Sequence, residues 1–152
     1  MENEKKKGRY ERILKQIEEL LLKSDNDIAH MATISAVLYH KMEYFFWCGF
    51  YRLIDGELIV GPYQGPVACQ ILKKNTGVCW AGINEKKTIV VPDVEKFPGH
   101  IACDSRSKSE IVVPVKNKSG NIIGVLDVDS SELISFDEID AKYLEKIISL
   151  LK

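Results

Sequence analysis

No apolar run in this chain approaches the roughly 18 residues that a membrane-spanning helix needs, and the charged N-terminus lacks the apolar core of a signal peptide. There is little net charge to attract a polyanion. The formal value is −1, and the basic run Lys5-Lys6-Lys7-Gly8-Arg9 sits among Glu2, Glu4 and Glu11, which argues against a nucleic-acid footprint. A serine-nucleophile motif is absent, and none of the four cysteines forms a CxxC pair or the spacing of a common zinc site. His100 with Cys103 leaves a Cys/His metal site as the lesser alternative. The expectation is therefore a cytoplasmic protein with no nucleic acid, no membrane, no metal and no cofactor. Cys48, Cys69, Cys79 and Cys103 are then reduced thiols at rest, not structural bridges. A length of 152 residues suits one domain with a sizeable core, so a single domain over 1–152 is expected, with 1–8 as a frayed tail.

What is present reads as helices around a sheet. Ile13, Leu14, Ile17, Leu20 and Leu21 recur at three and four and predict a helix over 10–22. A second is predicted over 27–40, with Ile28, Met31, Ile34, Val37 and Leu38 inward. The aromatic run 44–54, the Asp55-Gly56 turn and the run 57–61 make a hairpin, which Pro62 and Gly65-Pro66 then interrupt. Trp47, Gly49 and Tyr51 share one face of the first strand, as pocket wall or plain core, while Cys48 and Phe50 share the other. Cys69 lies in the apolar segment 67–72. Thr76-Gly77-Val78-Cys79 turns into a short helix over 80–85, where the dipole favours a Cys79 thiolate. Residues 88–91 form a buried strand. A hairpin turning at Ser119-Gly120 sets Glu110 opposite Asp129 and Val112 opposite Asp127. Three carboxylates thus crowd one strand end, which calls for a cation or a shared proton unless that end is simply solvated. Ser135 caps a last helix carrying Ile139, Tyr143, Ile147 and Leu150 on one side. The class is α+β, a central antiparallel sheet with N- and C-terminal helices on one face.

The longest stretch without periodicity runs from Phe97 to Glu110 and carries Cys103 beside Asp104 and Ser105. A Cys/His hydrolase would need His100 as base only three residues from Cys103, and would leave the other cysteines and the acids idle. Sulfoxide reduction gives each part a task. A thiolate attacks the sulfoxide sulfur, a carboxylic acid protonates the departing oxygen, and a second cysteine resolves the resulting sulfenic acid to a disulfide.

The blocks Trp47-x-Gly49-Phe50-Tyr51, Gly61-Pro62-Tyr63-Gln64-Gly65, Gly77-Val78-Cys79, Phe97-Pro98-Gly99-His100-Ile101-Ala102-Cys103-Asp104-Ser105 and Ile123-Gly124-Val125-Leu126-Asp127-Val128-Asp129-Ser130 resemble the GAF-domain free methionine-(R)-sulfoxide reductases. The resemblance implies a GAF-like fold and Cys103 as nucleophile, Cys69 as its principal resolving partner, with a Cys69 to Cys103 disulfide on oxidation, and Cys79 as a further redox cysteine. It implies that Trp47, Tyr51, Glu110, Asp127 and Asp129 bind free methionine sulfoxide, and that a thioredoxin-type protein is the reductant. Trp80 departs from the glycine usual after Cys79 and is expected to alter the lid there; Cys48 is an additional, structural thiol. A GAF module that senses a ligand or redox state without catalysis is the alternative. A monomer and a homodimer are both open.

Overall fold

In the computed structural model, which describes residues 1–100 and 103–151, the first helix, α1 (Asn3–Leu21), buries Tyr10, Ile13, Ile17 and Leu21 along one stripe. Ile101 and Ala102 of the long loop block lie outside the described residues, as does Lys152. The helix takes in most of the stretch expected to fray. Lys6 is the reason: its ammonium donates to Asp140 at 2.8 Å and lies 3.5 Å from Asp137, with its own side chain buried. Tyr10 donates its hydroxyl to the other oxygen of Asp140 at 2.6 Å, so the two ends of the chain are joined through one carboxylate. Asp140→Ala removes the hydrogen-bond partner of the buried Lys6 ammonium and leaves it only the longer contact with Asp137. A loss of about 3–5 kcal/mol is expected in chemical denaturation, on the scale measured for breaking one side of a buried ion pair.

After α1 come α2 (Asp27–Lys41), β1 (Trp47–Ile54), β2 (Glu57–Gln64), β3 (Ile71–Leu72), α3 (Gly77–Glu85), β4 (Ile89–Val91), β5 (Ser109–Lys116), β6 (Ile122–Ser130) and α4 (Glu138–Ile148). The strands form one antiparallel sheet in the order β3-β2-β1-β6-β5-β4. Side-chain alternation divides it into two faces. Cys48, Phe50, Ile111, Val113, Leu126 and Val128 meet α1, α2 and α4 in the larger core. Trp47, Tyr51, Val112 and Val125 face the other way, onto α3.

Several local expectations are corrected. Ile28 is exposed, because α2 buries only the narrower stripe of Met31, Ile34, Ser35 and Leu38. Pro62 does not end the second strand. The register shifts between Gly49 and Tyr51, and the irregularity lets β2 run on through Pro62 to Gln64. The strand expected to be buried over 88–91 is the sheet edge, β4, with Val90 exposed. Asp137, not Ser135, caps α4: its carboxylate accepts from the N–H of Ile139 and Asp140 while Asp140 accepts from the N–H of Asp137 at 2.9 Å, a reciprocal box that a serine hydroxyl does not match. Ser135 instead donates to the Ser130 hydroxyl at 2.6 Å.

Candidate active site

The β5/β6 hairpin brings the acids together. Its turn is one residue longer than expected, with the N–H of Asn117 donating to the carbonyl of Asn121, but a bulge between Val115 and Lys116 takes up the extra residue. Glu110 therefore does lie opposite Asp129, and Val112 opposite Asp127. Across the other edge of β6, Asp129 pairs with Trp47 and Asp127 with Gly49, which sets the carboxylates beside the aromatic wall.

That wall depends on glycine. A Cβ on Gly49 would lie 2.2 Å from the Cβ of Tyr63 and 2.9 Å from the Trp47 ring. Without one, Tyr63 stacks on Trp47 at 5.1 Å between centroids, and Tyr51 stacks on it at 5.8 Å. Two polar handles fix the rings: Trp47 donates its indole N–H to the Pro66 carbonyl at 3.0 Å, and Tyr51 donates its hydroxyl to the Cys69 carbonyl at 2.9 Å. The aromatic wall is thereby tied to the segment that carries Cys69.

Cys79 arrives from α3. A Cβ on Gly82 would meet Val112 at 2.8 Å, so glycine there allows the helix to lie close on the sheet. The thiol of Cys79 and carboxylate oxygens of Glu110 and Asp127 all lie within 4.8 Å of one another, a donor set able to hold a cation. Cys79 and Glu110 are 5% exposed and Asp127 6%. Burial raises the pKa of Glu110 well above the usual carboxylate range, and the charges of Asp127 and Asp129 raise it further. Half-buried Asp129 is raised in the same way, by burial and then by Asp127. Burial also raises Asp127, whose Oδ1 has no hydrogen-bond partner among the described residues. The cluster thus favours retention of carboxyl protons beyond the ordinary carboxylate range. Cys79 differs from expectation: burial, then the neighbouring Asp127 and Glu110, push its thiol up, so it is a neutral thiol in spite of the helix N-terminus.

Cys69 and Cys103 form a disulfide with their Cα atoms 5.6 Å apart, the pairing that the resemblance implied for the oxidised protein. Cys103 is its exposed end and Cys69 is half-buried. Arg106 holds the loop beyond, with two hydrogen bonds to the Asp104 carboxylate at 2.9 and 2.7 Å and its guanidinium over the Phe46 ring at 4.9 Å. That pairing lowers Asp104 to about 2.

One cavity of about 240 Å³ is lined by Trp47, Tyr51, Cys69, Cys79, Cys103, Glu110, Asp127 and Asp129, so every site residue expected from the sequence meets there. His100 lines it too. Burial lowers its pKa, which favours the neutral imidazole, and its Nε2 has no partner among the described residues. The sequence suggests His100 as a hydrolytic base or zinc ligand, and nothing in the residue order shows that it shares a wall with the acids. Trp80 does not line the cavity. It is buried in the smaller core with Ile83 and Val112, which corrects the expected effect on a lid. Cys48 is free and fully buried on the opposite face, as expected.

The GAF domain pattern matches residues 37–151. GAF domain-containing protein A of Dictyostelium discoideum is 56% identical over 147 residues, 96% of this chain and 92% of that protein. The free methionine-R-sulfoxide reductase of Saccharomyces cerevisiae is 41% identical over 133 residues, 83% of this chain and 74% of that protein. The crystal structure of the free methionine-R-sulfoxide reductase of Neisseria meningitidis in complex with its substrate superposes with a TM-score of 0.88 at 43% identity, over 93% of this chain and 85% of that one.

Proposed function

Since this chain belongs to the GAF-domain free methionine-R-sulfoxide reductases, we propose that it reduces free L-methionine-(R)-sulfoxide to methionine at the cavity between the Cys69–Cys103 pair and the acid cluster. One observation carries the reading: the Cys69–Cys103 disulfide, carboxyls whose pKa burial raises and an aromatic wall line the same small cavity.

The cycle starts with the pair reduced. The Cys103 thiolate attacks the sulfoxide sulfur, a carboxylic acid of the Glu110/Asp129 group gives its proton to the oxygen, and methionine departs as that oxygen stays on Cys103 as a sulfenic acid. Cys69 then displaces the oxygen as water and forms the disulfide. A dithiol protein of the thioredoxin type returns both thiols, attacking at Cys103, the exposed residue of the bridge. Cys79, whose buried thiol is held neutral, stands in reserve as a second resolving thiol. A reducing compartment, the cytoplasm, suits this cycle; among the described residues no helix is long and apolar enough to cross a membrane.

The substrate is a zwitterion with an S-methyl group. We assign its ammonium to the ionised share of the acid cluster and its methyl to Trp47 and Tyr51. Its carboxylate falls to the first N–H groups of α3 at Gly77 and Val78, which line the cavity and lack intrahelical acceptors. A peptide-bound residue has neither charge to offer. Turnover of free L-methionine-(R)-sulfoxide is therefore expected in a thioredoxin-coupled assay, with little on the S epimer and little on an N-acetylated, amidated analogue. Comparable rates on the free and the blocked substrate would show that the site does not read the zwitterion.

A further inference from the structure

We propose that Cys79, Glu110 and Asp127 also form a binding site for a thiophilic divalent cation, zinc in the first place, which blocks the substrate cavity when it is occupied. The donors come from α3, β5 and β6, and all lie within 4.8 Å of one another. Tetrahedral zinc places a sulfur and an oxygen ligand about 3.5 Å apart, so a contraction of about an ångström, within reach of side-chain rotation, completes three sites and leaves the fourth to water.

Two features make the cluster more than a patch of acids. One donor is a thiol, which selects zinc, cobalt or cadmium over magnesium and calcium. Another, Asp127, is more than nine-tenths buried and keeps an oxygen with no hydrogen-bond partner among the described residues, although it lines an open cavity. A dication satisfies that oxygen and relieves the repulsion among the carboxylates. Binding displaces the Cys79 proton and the carboxyl protons, and changes no oxidation state. The ion would occupy the place assigned above to the substrate ammonium, so it acts as an inhibitor. That consequence rests on the reductase reading; the binding does not.

Cobalt(II) titration of the disulfide form tests it without turnover. In that form Cys69 and Cys103 are closed to metals, and the other free thiol among the described residues, Cys48, is buried on the far face. A thiolate-to-cobalt charge-transfer band is expected, bleached by zinc and absent in Cys79→Ser. Asp127→Asn, a second variant independent of the thiol, should keep the band but bind cobalt about tenfold or more weakly. No band with the wild-type chain, or an undiminished band in Cys79→Ser, overturns the site.

Discussion

Cys103→Ser is expected to lower turnover of free methionine-(R)-sulfoxide on the order of 10³-fold or more, the scale of removing a covalent nucleophile. A serine hydroxyl matches the cysteine closely in shape. The loss therefore reports chemistry and not packing, all the more because Cys103 is exposed and buries little on folding. An alkoxide is not accessible near neutral pH whereas a thiolate is, and no sulfenic acid can form on oxygen. The coupled assay measures the rate, and circular dichroism with the thermal midpoint checks that the fold is intact. A folded variant with an undiminished rate would remove Cys103 from the chemistry.

Glu110→Gln and Asp129→Asn are each expected to cost about 10²-fold in kcat, the usual worth of a positioned general acid. Their effect on pH dependence is more diagnostic than their size. Burial and like charge raise both pKa values, so the wild-type acid keeps its proton to higher pH than a free carboxyl, and the alkaline limb of the rate falls as pH rises through the raised value. The variants should flatten or shift that alkaline limb. The same shift acts on stability. A carboxyl with a raised folded-state pKa holds its proton longer in the folded chain than in the unfolded one. Its contribution is full below the ordinary carboxylate range and is lost as pH rises through the folded value. Glu110→Gln, which cannot ionise, should therefore lose less stability between mildly acid and mildly alkaline pH than the wild type. Thiolate formation at Cys103 shapes the acid limb, so a wild-type profile with no alkaline limb, or one that Glu110→Gln and Asp129→Asn leave unchanged, contradicts the assignment.

The site was legible where short-range periodicity carried it. Alternation along β1 separates Trp47 and Tyr51 from Cys48, and the paired strands β5 and β6 bring Glu110 to Asp129. Glu110 faces Asp129 although the turn is a residue longer than a two-residue loop, because the bulge between Val115 and Lys116 cancels the extra residue. No sequence rule in use would detect that cancellation. What was not legible depends on contacts between distant segments. The helix dipole at Cys79 was a sound local argument, but burial among acids outweighs it. The start of α1 at Asn3 needs Asp140, 134 positions from Lys6. Arg106 over Phe46, and Tyr63 on Trp47, likewise join side chains that no period relates. Gly82 signals only a position without a side chain until Val112 is seen against it.

The proposed mechanism reduces one equivalent of substrate at the expense of the Cys69 and Cys103 thiols. Its most direct test is a single turnover: fully reduced protein receives one equivalent of L-methionine-(R)-sulfoxide with no recycling reductant, and the products are followed by quantitative amino-acid analysis and disulfide peptide mapping. One methionine per chain, together with a Cys69–Cys103 bridge in the wild type and an arrested Cys103 sulfenic acid in Cys69→Ser, is the predicted result. Methionine formed while both thiols remain free, or a bridge that runs through Cys48 or Cys79 in place of Cys69, would contradict it.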